Sequence, residues 1–141
     1  MRAPHFVQLA AIDERRVINA CRHGLVHLTW DRITVRFTRD EFRRLARLLA
    51  RSMESPPPGW FRDGEIEVTY SARDCNLRLG SLTLAVSQGE YQALSTAARE
   101  AVEQLDKILD AGMWDEPKSD EPEETPPSIL DRFHRHRFSE N

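Results

Sequence analysis

The stretch VHLTWDRITVRFT (residues 26–38) has a counterpart 49 residues further on, CNLRLGSLTLAVS (residues 75–87). Val26, Leu28 and Trp30 alternate with His27 and Thr29, and Ile33, Val35 and Phe37 alternate with Thr34 and Arg36. A period of two marks strands with one buried face. A tight turn at Asp31-Arg32 joins them. In the second copy Leu77 and Leu79 precede a turn at Gly80-Ser81, and Leu82, Leu84 and Val86 follow. Identities are few (Leu28/Leu77, Thr34/Thr83, Glu41/Glu90, Leu45/Leu94), but apolar character is kept at the alternating positions. Such a period points to a repeated supersecondary unit.

Each copy runs into a helix by the same device. Thr38-Arg-Asp-Glu41 and Ser87-Gln-Gly-Glu90 both fit the S/T-x-x-E capping box. There the hydroxyl accepts from a free N–H of the first turn and the glutamate reaches back to the cap residue. Helix one is expected over about 39–52, with Phe42, Leu45, Leu48 and Leu49 as its apolar stripe. Helix two is expected over about 89–111, with Tyr91, Leu94, Ala98, Val102, Leu105 and Leu109 inward and Gly112 as its stop. Residues 16–22 and 65–71 read as one further strand per copy, with Val17 and Ile66 in register. Phe6–Ile12 reads as an edge strand without a counterpart.

The expected fold class is therefore α+β: an internal duplication of a (β)ββα unit, with antiparallel sheets and two main helices packed on one face. Residues 1–114 form one domain of two repeats, 13–53 and 62–111. A Pro-rich linker, residues 54–61, joins them, with Trp60 and Phe61 anchored in apolar surroundings at its end. Neither repeat alone buries much surface, so the halves should share one sheet or one core.

The chain has 141 residues, 40 % hydrophobic and 30 % charged, with a net charge of −3. The charge is uneven: residues 13–53 carry +5, residues 62–110 carry −4, and the tail from Asp115 carries −4. Eighteen of the 20 basic residues are Arg, scattered along the chain. No apolar window approaches the roughly 20 residues of a spanning helix. The short run Phe6–Ile12 does not read as a signal peptide. Cys21 and Cys75 make no disulfide framework and suit a reducing cytoplasm. Residues 115–127 hold six acids, one Lys and four Pro, a composition expected to be disordered. Residues 128–141 form a basic, amphipathic end. Its Ile129, Leu130, Phe133 and Phe138 are candidate contacts for a partner, or for the chain's own domain.

Cys21, His23 and His27 are the cluster closest to a metal-ligand set. On one straight strand they would share a side, but a turn at Gly24 breaks that register, and no fourth ligand is evident. His134 and His136 are a weaker pair. Arg39, Arg43, Arg47 and Arg51 recur every four residues on helix one, with Arg32 and Arg36 just before it. Such a stripe can meet phosphates. It lacks interleaved aromatic platforms, which disfavours nucleic acid. Glu100, Glu103, Asp106 and Asp110 offer it acidic partners, for instance helix two of another copy. No nucleophile elbow, P-loop or dinucleotide fingerprint occurs.

These features lead to a non-enzymatic protein-interaction module, a cytoplasmic homodimer needing no cofactor and binding no membrane. The alternatives are a small metal- or ligand-binding protein, or a weak enzyme, using Cys21, His23 and His27, and a nucleic-acid binder using the Arg-rich first helix.

Overall fold

The computed structural model of the chain describes residues 5–114. The elements run β1 (Phe6–Ala11), β2 (Arg16–Cys21), β3 (Leu25–Trp30), β4 (Ile33–Thr38) and α1 (Arg39–Met53). They continue as β5 (Gly59–Asp63), β6 (Ile66–Tyr70), β7 (Asp74–Leu79), β8 (Leu82–Ser87) and α2 (Gln88–Asp110). The same order, four strands and then a helix, occurs twice. The strands form two separate antiparallel sheets, β1-β2-β3-β4 and β5-β6-β7-β8. The tail segments 115–127 and 128–141 lie outside the described residues.

Both capping boxes are made. Thr38 Oγ1 accepts from the N–H of Glu41 at 3.1 Å, and the Thr38 N–H donates to Glu41 Oε1 at 2.9 Å. Ser87 and Glu90 repeat the pair at 3.1 and 2.8 Å. A cap of this kind is worth about 1 kcal/mol. At the far end of α2 the N–H groups of Gly112 and Met113 donate to the carbonyls of Leu109 and Ile108, a Schellman motif that stops the helix.

One core serves both halves. It joins Val26, Leu28, Trp30, Val35 and Phe37 of the first sheet to Cys75, Leu77, Leu79, Leu84 and Val86 of the second. The helical stripes Phe42, Leu45, Leu48, Leu49 and Tyr91, Leu94, Ala98, Leu105 fill the space between. The helices cross over. α1 packs on β3 and β4 of its own sheet and on β5 and β6 of the other; α2 packs on β7 and β8 and also on β1 and β2.

Four expectations need correction. Each sheet has four strands rather than three, and Phe6–Ile12 does have a counterpart, β5. That strand begins at Gly59, inside the stretch read as a linker, because the proline run ends there and leaves the backbone free to pair. Val17 does not match Ile66. Arg16 pairs with Trp30 while Ile66 pairs with Leu79, so Arg16 is the partner of Ile66 in the pattern and Val17 that of Glu67. Five residues separate paired Ala20 and Val26, against four between Tyr70 and Cys75. That missing residue shifts the alignment by one, which exchanges faces. Trp60 is not anchored in apolar surroundings. Neighbours on a strand point to opposite faces, so Phe61 turns to the core and Trp60 stays 61 % exposed. Ile33, the first residue of β4, keeps the inward register of Val35 and Phe37 but lies at the margin of the core, 40 % exposed.

The strand β5 is seated by an aromatic stack. The Tyr70 ring lies between Phe61 (6.1 Å) and Tyr91 (6.0 Å), and its hydroxyl donates to the Ser55 carbonyl at 3.1 Å. The ring covers the backbone of Gly59, where any Cβ would overlap it. Gly59→Ala is expected to destabilise the domain by about 1–3 kcal/mol, read as a lower urea midpoint at an unchanged slope. A midpoint equal to wild type would show that the stack does not hold β5.

Candidate functional site

Register places the polar side chains of the first sheet's outward face in a row. Gln8 lies opposite Asn19, Asn19 opposite His27, and His27 opposite Arg36. The Phe6 ring, 60 % exposed, meets His27 edge-on at 5.4 Å. No outward strand position on this sheet carries a carboxylate. The second sheet answers with Trp60, Thr69, Asn76 and Ala85 in one row and Arg62, Glu67, Arg78 and Thr83 in the next. The Trp60 indole N–H donates to Glu67, which Arg78 also approaches at 3.7 Å. The exposed aromatics Phe6 and Trp60 thus stand on the outward faces, each on the first strand of its sheet. Strand alternation around Trp60-Phe61 was the signal that could have found one of them.

The candidate metal residues diverge. Cys21 is buried on the outward side of β2, outside the core cluster and opposite Phe6. His23 sits exposed in the β2–β3 turn, its ring 6.2 Å from that of His5. His27 faces Phe6. Among the described residues no group of three or more His, Cys, Asp or Glu is placed to hold a metal. The chain reverses at Gly24, and that separates the three.

The arginine stripe of α1 is largely used within the chain. Arg39 is buried. Arg43 Nη2 pairs with Asp106 Oδ1 of α2 at 3.0 Å, so the charge complementarity between the helices is satisfied inside one molecule. Arg51 lies over the Phe61 ring at 5.8 Å. Arg47 remains exposed, as do Glu100, Glu103 and Asp110.

Arg16 ties the two halves together at the start of α2. Its guanidinium lies 4.7 Å from the centre of the Trp30 ring, 3.5 Å from Asp31 and 2.7 Å from Glu90. Glu90 is held below the usual carboxylate range, first by the Ser87 N–H; burial opposes this, and the Ser87 hydroxyl and Arg16 add to the lowering. Beside this hub Arg15, Trp30, Asp31, Arg32 and Ile33 meet Ala85 of the second sheet and line an open cleft of about 530 Å³. Two groups in the core are perturbed as well. Burial pushes the Cys75 thiol up to about 12. It also raises Tyr91, to which Cys75 and Tyr70 add.

The tail candidates Ile129, Leu130, Phe133 and Phe138 lie outside the described residues. No helix among the described residues is long and apolar enough to cross a membrane. Comparison with known proteins brings no match: no family model fits the chain, and no curated protein or solved structure is significantly similar to it.

Glu90 carries a pH signature. Its pKa is depressed on folding, so its contribution is present above the ordinary glutamate value of 4.5 and is lost as pH falls through the lower folded value. Glu90→Gln should cost about 0.5–1 kcal/mol at pH 7, and the gap to wild type should narrow below pH 4.5 in thermal melts. A gap constant with pH would assign the loss to the cap geometry alone. The Tyr91 hydroxyl is buried with no hydrogen-bond partner among the described residues. Tyr91→Phe removes that desolvated donor, and a gain of about 1 kcal/mol in urea unfolding is expected. A clear loss would mean that the hydroxyl is satisfied in solution.

Proposed function

We propose that this chain is a non-enzymatic interaction module that self-associates as a homodimer, its contacts made by the outward sheet faces. The observation that carries this reading is the placement of Phe6 and Trp60. Two large aromatic side chains are about 60 % exposed on open antiparallel faces: an edge-on contact with His27 and a hydrogen bond to Glu67 orient them and leave most of each ring in water. Exposed apolar side chains rimmed by polar ones mark contact surfaces. The perturbed titratable groups point the same way: Cys75 and Tyr91 are enclosed in the core, and Glu90 serves a cap and an ion pair. The matched order of elements supports descent from a duplicated ββββα unit. The acidic, Pro-rich stretch before the basic end reads as a tether. The two free, buried thiols suit a cytoplasmic setting.

Sedimentation over a micromolar concentration series tests this reading. Wild type is expected to dimerise, and the Phe6→Ser/Trp60→Ser variant to dissociate at least about tenfold more readily with unchanged circular dichroism. A wild type that stays monomeric throughout would overturn the homodimer.

One observation favours a second reading. The first sheet's outward row joins an exposed aromatic ring, two amides, a histidine and an arginine with no carboxylate, which suits stacked, unpaired bases better than helix one does. Salt-sensitive binding of a single-stranded oligonucleotide, lost in Phe6→Ala and Arg36→Ala but kept in Arg43→Ala, would select it.

A further inference from the structure

The cleft beside Arg16 joins the two halves of the molecule and has an unbalanced charge. Its apolar surface comes from Trp30, Ile33 and Ala85. Of the charged groups lining it, Asp31 is engaged by Arg16. Arg15 and Arg32 are exposed, and neither guanidinium has an ion-pair partner among the described residues. The cleft therefore fits an acidic segment that also carries aliphatic side chains.

This chain contains such a segment. Residues 115–127 hold six carboxylates and one lysine, and Ile129 and Leu130 follow. Length selects the part that reaches the cleft. α2 has 23 residues, which at 1.5 Å each span about 34 Å. Its first turn lies at the cleft, since Glu90 holds Arg16, and the chain leaves from the opposite end past Trp114. An extended chain covers about 3.3–3.6 Å per residue, so about ten residues bring it back one helix length. Counted from Asp115, the residues that arrive are Glu123 and Glu124, with Ile129 and Leu130 a few positions beyond.

We propose that the segment Glu123–Leu130 docks in this cleft of its own chain. The Glu123 and Glu124 carboxylates pair with Arg15 and Arg32, and Ile129 and Leu130 cover Ile33 and Ala85. The tether holds the segment near the cleft at millimolar effective concentration, which offsets the weakness of exposed ion pairs. The proposal does not rest on the homodimer: the cleft shares Ala85 with the second sheet's outward face but neither Phe6 nor Trp60, and a segment docked in cis is protected at every protein concentration.

Hydrogen exchange followed by mass spectrometry on the full chain tests it. At low ionic strength the amides of Glu123, Glu124, Thr125, Ser128, Ile129 and Leu130 should exchange about tenfold more slowly than an unfolded peptide. That protection should be the same at every protein concentration. It should disappear at 0.5 M salt, roughly three times physiological strength, and in Arg15→Ala/Arg32→Ala, both exposed positions that leave the core intact. Coil-like exchange of these amides in wild type would overturn the proposal. So would protection that survives the double substitution. Protection that grows with protein concentration would place the segment on a second copy and refute docking in cis.

Discussion

Each helix covers the inner face of a sheet it does not follow. A four-stranded sheet with one 15-residue helix leaves much of its apolar face in water, and neither half of this chain could close its own core. By crossing over, α1 and α2 each pack on both sheets, and the inward residues of both sheets and both helices form one cluster. The two halves therefore stand or fall together. Arg43–Asp106 joins the helices at the surface, and Arg16–Glu90 joins the first sheet to the start of α2.

The crossing also decides where contacts can be made. Both helices are committed to the interior on one side, and the open surfaces are their charged outer faces, the outward sheet faces and the cleft where the halves meet. The outward faces are polar rows interrupted by single exposed aromatics. The cleft joins apolar side chains to two arginines that have no ion-pair partner among the described residues. Carboxylates and guanidinium groups stand at the margins of these surfaces, and the perturbed thiol and phenol are locked away in the core.

The halves share a frame and differ in chemistry. Asp31 and Gly80 hold the same turn with positive φ, 58° and 66°, and donate to equivalent carbonyls, those of Arg15 and Glu65, at 2.9 and 3.0 Å. Glycine adopts this conformation freely, whereas aspartate accepts some strain there. In return Asp31 supplies a carboxylate to Arg16. Arg16 itself stands where the second half has buried Ile66. The same frame thus carries an ion-pair hub at one end and plain apolar packing at the other.

Much of the local structure was legible in residues 26–49 and 75–105. Alternation named the central strands, two capping boxes marked both helix starts, and the helical stripes went to the core as spaced. These signals are local: period, cap chemistry and turn residues act within a few positions. The edge strands were harder. Phe6–Ala11 stood out, but Gly59–Asp63 hid behind three prolines, and its pairing depends on a Tyr70 ring that closes over Gly59. The one-residue shift between β2 and β6 was invisible, because only pairing across strands reveals it. For Cys21, His23 and His27 the turn at Gly24 was legible in the sequence, and the structure places that chain reversal there. The exposed aromatics and the Arg15–Arg32 cleft came from elements far apart in the chain. By itself the sequence determined the units and their order. Tertiary structure decided that each helix seals the other unit's sheet, because only the packed core compares the area buried by that arrangement with the area each unit could bury alone.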